Sequence, residues 1–328
     1  MCCKKWIKEN TVLDVNMLSQ MDIIREQVND MNPHCIWLLA TNSQILDMLH
    51  EVYPKIKLIG WSGSAIASDV KWQKFDAIYS CAPETIQRMK SNGLPAHYVN
   101  NAFCEDILNF IADSQKNELV FIGQLIRHSE FHMERERLIL KLLEYMDVAV
   151  YSPSYFIGNG EILKAVVKKI IDKVGVYDAL YYFKNGNRLG NKNLRLPINM
   201  KLRHRLYPPV YGIDMFSVIA NAKVVLNVHA DSSSIYASNC RLFETTGVGA
   251  CLLTDSKQRL NELFEDGKEI VTYSSPEDCV EKARWLLTNQ QKAREIAFAG
   301  QRRCLREHTY ENRVVEILPI IKDYIGRC

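Results

Sequence analysis

Short apolar runs that alternate with amphipathic segments are the feature that most constrains how this chain folds. The predicted strands of the first part span residues 35–40, 56–61, 76–80 and 96–100. Segments with helical spacing lie between them, at 43–52 and 83–92. Strands that alternate with helices form βαβ units and a parallel sheet. The same alternation returns from residue 118 to residue 326, so the sequence predicts an α/β protein with two sheets.

A polar stretch at 111–117, IADSQKN, separates the two series of strands. The chain has 328 residues, and a length of roughly 150 residues per domain is typical. We therefore expect an N-terminal Rossmann-like domain over 1–115 and a second Rossmann-like domain from 116 to 308. Residues 177–209 fit neither pattern and are expected to form a long loop or insertion.

Composition excludes several functional classes. The net charge is +3, with 41 basic and 38 acidic side chains, whereas nucleic-acid binders usually carry a basic domain or stripe. The ten cysteines form no CxxC pair, so we expect neither a zinc site nor a disulfide framework, and the composition is typical of the reducing cytoplasm. Residues 1–10 lack the apolar core of a secretory signal, and no apolar run approaches the ~20 residues that span a bilayer.

Several cofactor and metal motifs are missing from the sequence. We find no DxD pair, HExxH, GxxxxGK[ST], GxGxxG or GxSxG. Hard cations bind to clustered carboxylate oxygens, and the DxD pair supplies them in many metal-dependent enzymes that use nucleotide sugars. We therefore expect no bound metal and no cofactor.

The most informative segment runs from residue 221 to residue 255. Its first strand ends near His229, and a polar loop then leads to a helix that begins near Asn239. The start of a helix at the carboxyl end of a strand favours anions. Arg241 offers a planar pair of donors for a phosphate, and Glu244, about one turn later, offers a carboxylate that accepts ribose hydroxyl protons.

Each of these residues has a structural alternative that the sequence leaves open. Arg241 is equally well explained by a salt bridge to Glu244 or Asp255, since charged neighbours often pair. Asn239 has the residue type that commonly caps loops and helices. His229 either touches the ligand or is a satisfied structural histidine.

The same segment resembles the CgeB-like glycosyltransferases, relatives of the group 1 glycosyltransferases with the GT-B fold. The resemblance is strong over about residues 214–325. The matching residues are Asn239–Glu244, Gly247–Gly249, Leu253–Asp255, Glu262–Phe264, Gly267–Glu269, Tyr273 with Ser275–Glu277, Ala299–Gln301, His308–Tyr310 and Asn312–Arg313.

The resemblance implies two Rossmann-like domains in a GT-B arrangement, with the first shorter than is usual. It implies a nucleotide-sugar donor, either a UDP- or a GDP-sugar, bound by the second domain. By motif position Glu244 contacts the ribose, whereas the first glutamate of the family's E-x7-E pair is replaced by Tyr236. The other donor-binding residues implied are Asn239, Gly123, Arg127, Thr246 and Gly247. Residues 309–328 are expected to form a helix that crosses back to the first domain.

The resemblance further implies a metal-independent glycosyltransferase that retains stereochemistry, with Arg241 and His229 as catalytic residues. Arg241 and Arg127 would stabilise the negative charge that develops on the leaving diphosphate. An inverting enzyme would need a base from the first domain, for which Asp69 and Asp76 are the candidates. The acceptor is a glycan, a lipid-linked glycan or a protein, and a homo-oligomer is an option. A catalytically silent sugar-nucleotide-binding or scaffold subunit and a GT-B-fold epimerase stay open as alternatives.

Overall fold

The alternation of strands and helices forms two separate parallel sheets in a computed structural model of the chain. The structure describes residue 9 and residues 18–39, 43–63, 70–113, 116–125, 133–173, 196–229 and 235–326. Two compact units divide this part of the chain. The first holds the described residues up to Asn100 together with those from Glu311 onward, and the second runs from Asn101 to Tyr310.

The first unit contains a four-stranded sheet in the order β1-β2-β3-β4, with all neighbouring strands parallel. Its strands are β1 (Cys35–Leu39), β2 (Lys57–Ser62), β3 (Ala77–Ser80) and β4 (Ala96–Tyr98). Its helices are α1 (Gln20–Met31), α2 (Ser43–Val52) and α3 (Pro83–Ser91). Helix α1 begins at a capping box, in which the Ser19 hydroxyl accepts the N–H of Asp22 and the Asp22 carboxylate accepts that of Ser19. Such reciprocal bonds satisfy N–H groups that a helix start otherwise leaves unpaired.

Alternate residues of this sheet face two different layers, as the period of a strand requires. Leu58 and Ile78 belong to the core with helices α1, α2 and α3, whereas Ile59 and Tyr79 face the other way. That second face is covered by the last helix of the chain, Tyr310–Ile325. The side chains that this helix packs against the sheet are Ile317, Ile320, Ile321 and Tyr324.

The second unit contains a six-stranded sheet, parallel throughout, in the order β10-β9-β8-β5-β6-β7. Its strands are β5 (Asn117–Ile122), β6 (Ala149–Tyr151), β7 (Leu206–Tyr207), β8 (Ala222–Asn227), β9 (Cys251–Asp255) and β10 (Val271–Tyr273). Counted within the unit this is the 3-2-1-4-5-6 order of a dinucleotide-type Rossmann sheet, which reverses direction between β5 and β8.

Helices cover both faces of this second sheet. They are α4 (Met133–Leu142), α5 (Asn159–Lys173), α6 (Gly212–Ala220), α7 (Arg241–Gly247), α8 (Leu260–Leu263), α9 (Pro276–Thr288) and α10 (Gln290–Glu307); the final helix of the chain is α11. Successive residues of β5 alternate between two buried clusters: Leu119 and Phe121 lie in one, Val120 in the other. The apolar runs are therefore buried on both sides, as expected for parallel sheets.

The predicted fold class, α/β with two Rossmann-like parallel sheets, is confirmed. The helix predicted over 43–52 matches α2, and the predicted strand at 56–61 lies one residue from β2. The expected loop over 177–209 is wrong at its end, since Leu206–Tyr207 form the edge strand β7; residues 177–195 lie outside the described residues. In the part of the chain that the structure covers, no helix is long and apolar enough to span a membrane.

Candidate functional site

The strand order of the second sheet reverses between β5 and β8, and this switch point makes the carboxyl ends of the two strands a candidate site. Open α/β sheets bind ligands in the crevice where the strand order reverses. Gly123 directly follows β5, and His229 lies two residues after β8. The neighbouring strand β9 ends with Asp255, beside the end of β8. Predicted site residues thus lie at the edge of the sheet where the topology places a ligand.

His229 is buried and held by Asp255. Its backbone N–H and its ring Nδ1 both lie within hydrogen-bond distance of the Asp255 Oδ1, at 3.0 and 2.7 Å. A carboxylate oxygen only accepts, so Nδ1 is the nitrogen that carries a proton. The ring is 1% exposed, and its Nε2 makes no hydrogen bond to any residue that the structure describes. Buried polar atoms are nearly always hydrogen-bonded in folded proteins, so this nitrogen indicates a ligand group.

Asp255 keeps its charge although it is largely buried. Burial would raise the pKa of its carboxyl group, but the hydrogen bonds from His229 outweigh it, and the pKa falls below its ordinary value. The Lys257 ammonium, 3.4 Å from Oδ2, adds to the lowering.

A chain of hydrogen bonds links this pair to the start of α7. The Asn239 amide donates to the Asn227 Oδ1 at 2.8 Å, and the Asn227 amide donates to the Thr254 hydroxyl at 2.9 Å. Thr254 lies 3.4 Å from Asp255 Oδ1, the atom that His229 also reaches. All these donors point towards Asp255, and hydrogen bonds in series polarise one another. The network therefore fixes the relative positions of the carboxyl ends of β8 and β9 and of the start of α7.

Asn239 also holds the first residue of α7, although the N-cap position itself is Cys240. Its Oδ1 accepts the backbone N–H of Arg241 at 3.0 Å. Both ends of the Asn239 side chain are thus used within the protein, as the capping alternative expects. In this structure the residue positions the helix and joins it to β8.

Arg241 and Glu244 face each other along α7. The Arg241 Nη1 lies 2.8 Å from the Glu244 Oε2, and both side chains are mostly buried. The Arg241 Nη1 donates to the Met215 Sδ at 3.2 Å, and the buried Glu244 Oε2 makes no hydrogen bond among the described residues. Of the two salt bridges that the sequence allowed for Arg241, the structure forms the one with Glu244, while Asp255 pairs with His229. Glu244 therefore keeps an acceptor that a ligand hydroxyl could use.

Thr246 and Gly247 serve the packing of α7. The Thr246 hydroxyl donates to the Leu242 carbonyl at 2.6 Å. A Cβ on Gly247 would lie 2.3 Å from the Phe103 ring, a separation that real Cβ atoms do not reach. Neither residue exposes a group to a ligand here, and their contacts explain them by the packing of α7.

The two residues predicted near β5 are placed only in part. The Gly123 N–H donates to the Tyr151 carbonyl at 3.1 Å, and a Cβ here would lie 3.0 Å from the Phe121 ring. Arg127 and His128 lie outside the described residues. A basic group that the sequence analysis did not single out lies nearby: Arg135 of α4 donates to the Val228 carbonyl at 3.1 Å.

Of the two carboxylates considered as bases for an inverting reaction, the structure describes Asp76. Asp76 precedes β3 at its amino end, where it accepts the Leu58 N–H at 2.9 Å and pairs with Lys57 at 3.1 Å. That position is at the sheet edge opposite the carboxyl ends of the strands and explains the residue structurally. Asp69 lies outside the described residues. Across the described ranges, no three His, Cys, Asp or Glu side chains are grouped to hold a metal ion.

Sequence reasoning did not predict Asn227 and Thr254 as part of the candidate site, and it named Asp255 only as a possible partner of Arg241 and as part of the motif. Each is polar and lies at or next to the carboxyl end of β8 or β9. Neighbouring parallel strands end at the same edge, so polar residues at both ends are a signal that could have found them. A salt bridge from Arg241 to Asp255 was one prediction from the sequence, because it rested on charge alone.

Comparison with known proteins gives a family-model match over part of the chain and a shared fold over nearly all of it. A family model described as "Glycosyl transferase-like" matches residues 183–319. No curated protein sequence matches the chain significantly.

Solved structures similar to this chain share its fold at low sequence identity. A glycosyltransferase from Rickettsia africae is 10% identical, with a TM-score of 0.59, over 99% of this chain and 88% of the other. HepE of Anabaena in complex with UDP and glucose is 14% identical, with a TM-score of 0.56, over 98% and 89%. Sucrose-phosphate synthase of Thermosynechococcus elongatus is 7% identical, with a TM-score of 0.55, over 94% and 78%. The chain therefore has the two Rossmann-like domains of GT-B proteins.

Proposed function

We propose that this protein is a glycosyltransferase that moves a sugar from a UDP- or GDP-sugar to an acceptor hydroxyl. The chain is glycosyltransferase-like in sequence over residues 183–319 and in fold over nearly its whole length. The neighbour from Anabaena binds UDP and UDP-glucose. The observation that carries the proposal is the buried ring of His229, whose Nε2 lacks a hydrogen bond among the described residues at the switch point of the second sheet.

In this proposal His229 contacts the diphosphate of the donor. With a proton on each ring nitrogen, Nδ1–H remains hydrogen-bonded to Asp255, and Nε2–H donates to a phosphate oxygen. As the bond between the sugar carbon and the phosphate oxygen breaks, the electron pair stays on the diphosphate, and a fixed donor at that oxygen stabilises the charge.

Glu244 binds the ribose of the donor. Its Oε2 is buried, makes no hydrogen bond among the described residues and lies one helical turn from the network of Asn239. A ribose hydroxyl would donate to it. Arg241, 2.8 Å from Glu244, is the candidate to contact the diphosphate from α7.

The reaction proposed is metal-independent and retaining. The acceptor oxygen attacks the oxocarbenium-like sugar carbon on the face that the diphosphate leaves, and the acceptor proton passes to a diphosphate oxygen. Retention needs no separate base, and it agrees with the place of Asp76 at the far edge of the first sheet. Asn239, Thr246 and Gly247 position α7. Gly123, after β5, avoids the close contact that a Cβ would make with the Phe121 ring. Arg127 stays a predicted diphosphate ligand.

Binding and turnover test this proposal separately. A thermal-shift screen should show stabilisation of the protein by UDP or GDP sugars without added metal, since a ligand of the native state raises its stability by mass action. Glu244→Gln should remove most of that shift. Glu262→Gln is the matched control, because Glu262 forms the same i,i+3 pair with Arg259, at 2.7 Å, on the exposed surface.

The products then separate the alternatives. Transfer or slow hydrolysis of the bound donor supports the transferase. Binding without turnover across many acceptors would identify a silent sugar-nucleotide-binding subunit, an option that Tyr236 in place of the family glutamate keeps open. Release of an isomerised nucleotide sugar alone would identify an epimerase, and stabilisation by no nucleotide at all would refute the site.

A further inference from the structure

Helix α5 presents apolar side chains to solvent. Leu163, Val167 and Ile170 recur at i, i+4 and i+7 and are 64%, 45% and 56% exposed. One residue away, Ile162 packs against the core of the second unit. A helix that is apolar on two sides is normally covered on both, whereas the outer side of α5 is exposed.

Aromatic side chains extend this surface at the start of the helix. Tyr155 and Phe156 lie in the turn that follows β6, with exposures of 47% and 68%, and their rings meet edge to face at 5.4 Å. Met200, from the segment before β7, is 50% exposed. Exposed aromatic rings at the border of an apolar patch are typical of membrane interfaces.

The segments that carry these apolar side chains are rich in basic residues. We define the basic apolar face as residues 153–173 and 196–207, two segments that are joined by a 2.7 Å hydrogen bond from Arg203 to Asn159. They contain seven Lys and Arg residues and two acidic residues, although the whole chain has a net charge of only +3. The rest of the chain is therefore slightly acidic. Arg205 is paired with Asp147, whereas Lys164 and Lys201 are exposed.

We propose that the basic apolar face docks on a membrane that contains anionic lipids. The apolar stripe and Phe156 would enter the boundary between head groups and acyl chains, and the lysines would meet lipid phosphates, as in interfacial amphipathic helices. A second copy of the chain would bring this positive face against itself, which charge disfavours. The inference goes beyond the proposed function and does not depend on it.

The face begins on the same sheet edge as His229. The turn 153–156 follows the carboxyl end of β6, and β6 is separated from β8 by β5 alone. Strands lie ~4.8 Å apart, so the two strand ends are roughly 10 Å from each other. A surface-bound protein would thus hold the edge that carries His229 near the membrane, where lipid-linked acceptors are found.

Vesicle sedimentation tests the docking directly. The full chain should sediment with vesicles of phosphatidylcholine that contain about one third phosphatidylglycerol, and hardly with phosphatidylcholine alone. Leu163→Asp/Ile170→Asp should abolish sedimentation. Lys164→Glu/Lys201→Glu should lower the partition coefficient by at least about 25-fold, since each lysine near an anionic surface contributes about fivefold.

Trp285→Asp/Phe298→Asp is the matched control, because these exposed residues lie on α9 and α10 and the charge change is the same. It should sediment like the parent chain. Hydrogen exchange of the parent should show slower exchange in α5 on the anionic vesicles, a readout that no substitution disturbs. Failure to bind the anionic vesicles, equal loss in the control, or a dimer in solution that the α5 substitutions dissociate would each overturn the proposal.

Discussion

Replacing Asp255 by alanine tests the physical basis of the site. The substitution leaves the backbone N–H and the Nδ1–H of His229, two donors held at 3.0 and 2.7 Å, without their acceptor. An unsatisfied buried donor costs ~1–3 kcal/mol, so we expect the free energy of unfolding to fall by about 3 kcal/mol. For a domain of this size that corresponds to ~6–12 °C in melting temperature. Asp255→Asn, which keeps an acceptor oxygen, should lose less.

Asp266→Ala is the control for burial. Asp266 also accepts two hydrogen bonds, from the Thr272 N–H at 2.7 Å and its hydroxyl at 2.8 Å, but it is exposed. Water replaces the lost acceptor there, so the cost should stay below about 1 kcal/mol. Urea unfolding followed by circular dichroism measures both variants. Equal destabilisation by the two substitutions would show that burial of the Asp255 network is not what matters.

The pH dependence of the same comparison has a definite sign. The pKa of Asp255 is lower in the folded protein than its unfolded value of 3.8, so its stabilising effect is fully present above that value. It is lost as the pH falls through the folded pKa. The difference between the parent and Asp255→Ala should therefore be constant from neutral pH down to about 4 and shrink below it. A difference that already declines between pH 7 and 5 would contradict the lowered pKa.

Three further predictions concern the donor site, a close contact and the final helix. Glu244→Ala should weaken nucleotide binding by ~1–3 kcal/mol in calorimetry, because a ribose hydroxyl loses a charged acceptor; unchanged affinity would remove Glu244 from the site. Gly247→Ala should lower the free energy of unfolding by at least ~2 kcal/mol, because its Cβ would overlap the Phe103 ring, whereas Gly160→Ala, with open space around it, should raise stability slightly. Tyr324→Phe should cost about 1 kcal/mol by removing the 3.0 Å hydrogen bond to His97, and a neutral result in urea unfolding would show that α11 is held by its apolar side chains alone.

The fold was largely predictable because its signal is local. Each apolar run that is buried on both sheet faces reads directly as a strand, and helix ends are marked by residues such as Pro83 or Ser275, whose hydroxyl caps α9. The edge strand β7 was not predictable, because a strand of two residues is too short to show the alternation of apolar and polar side chains that marks a strand. Helix α6 was also missed, because its apolar residues continue directly into those of β8.

The sequence indicates where the candidate site lies along the chain, but it does not indicate the hydrogen bonds within it. His229, Arg241 and Glu244 stand out because they are polar residues that follow or open buried elements. The pair of Arg241 and Glu244 lies within one helix and was among the sequence alternatives, whereas the partner of His229 depends on which strands are neighbours, and the sequence does not show that β8 lies beside β9. For that reason the link from His229 to Asp255, 26 residues away, appears only in three dimensions. The use of Thr246 inside its own helix is likewise a consequence of how α7 packs.

The return of α11 to the first sheet has a consequence for how the protein is made. Ile317, Ile320, Ile321 and Tyr324 cover a sheet whose strands all lie before residue 100, yet they follow the entire second unit in the chain. On the ribosome the second unit can close while it is being synthesised, but the first keeps one apolar face bare until about two hundred further residues have emerged. During that interval Ile59 and Tyr79 are exposed to water, and chaperones that bind apolar surfaces can bind to this face of the sheet.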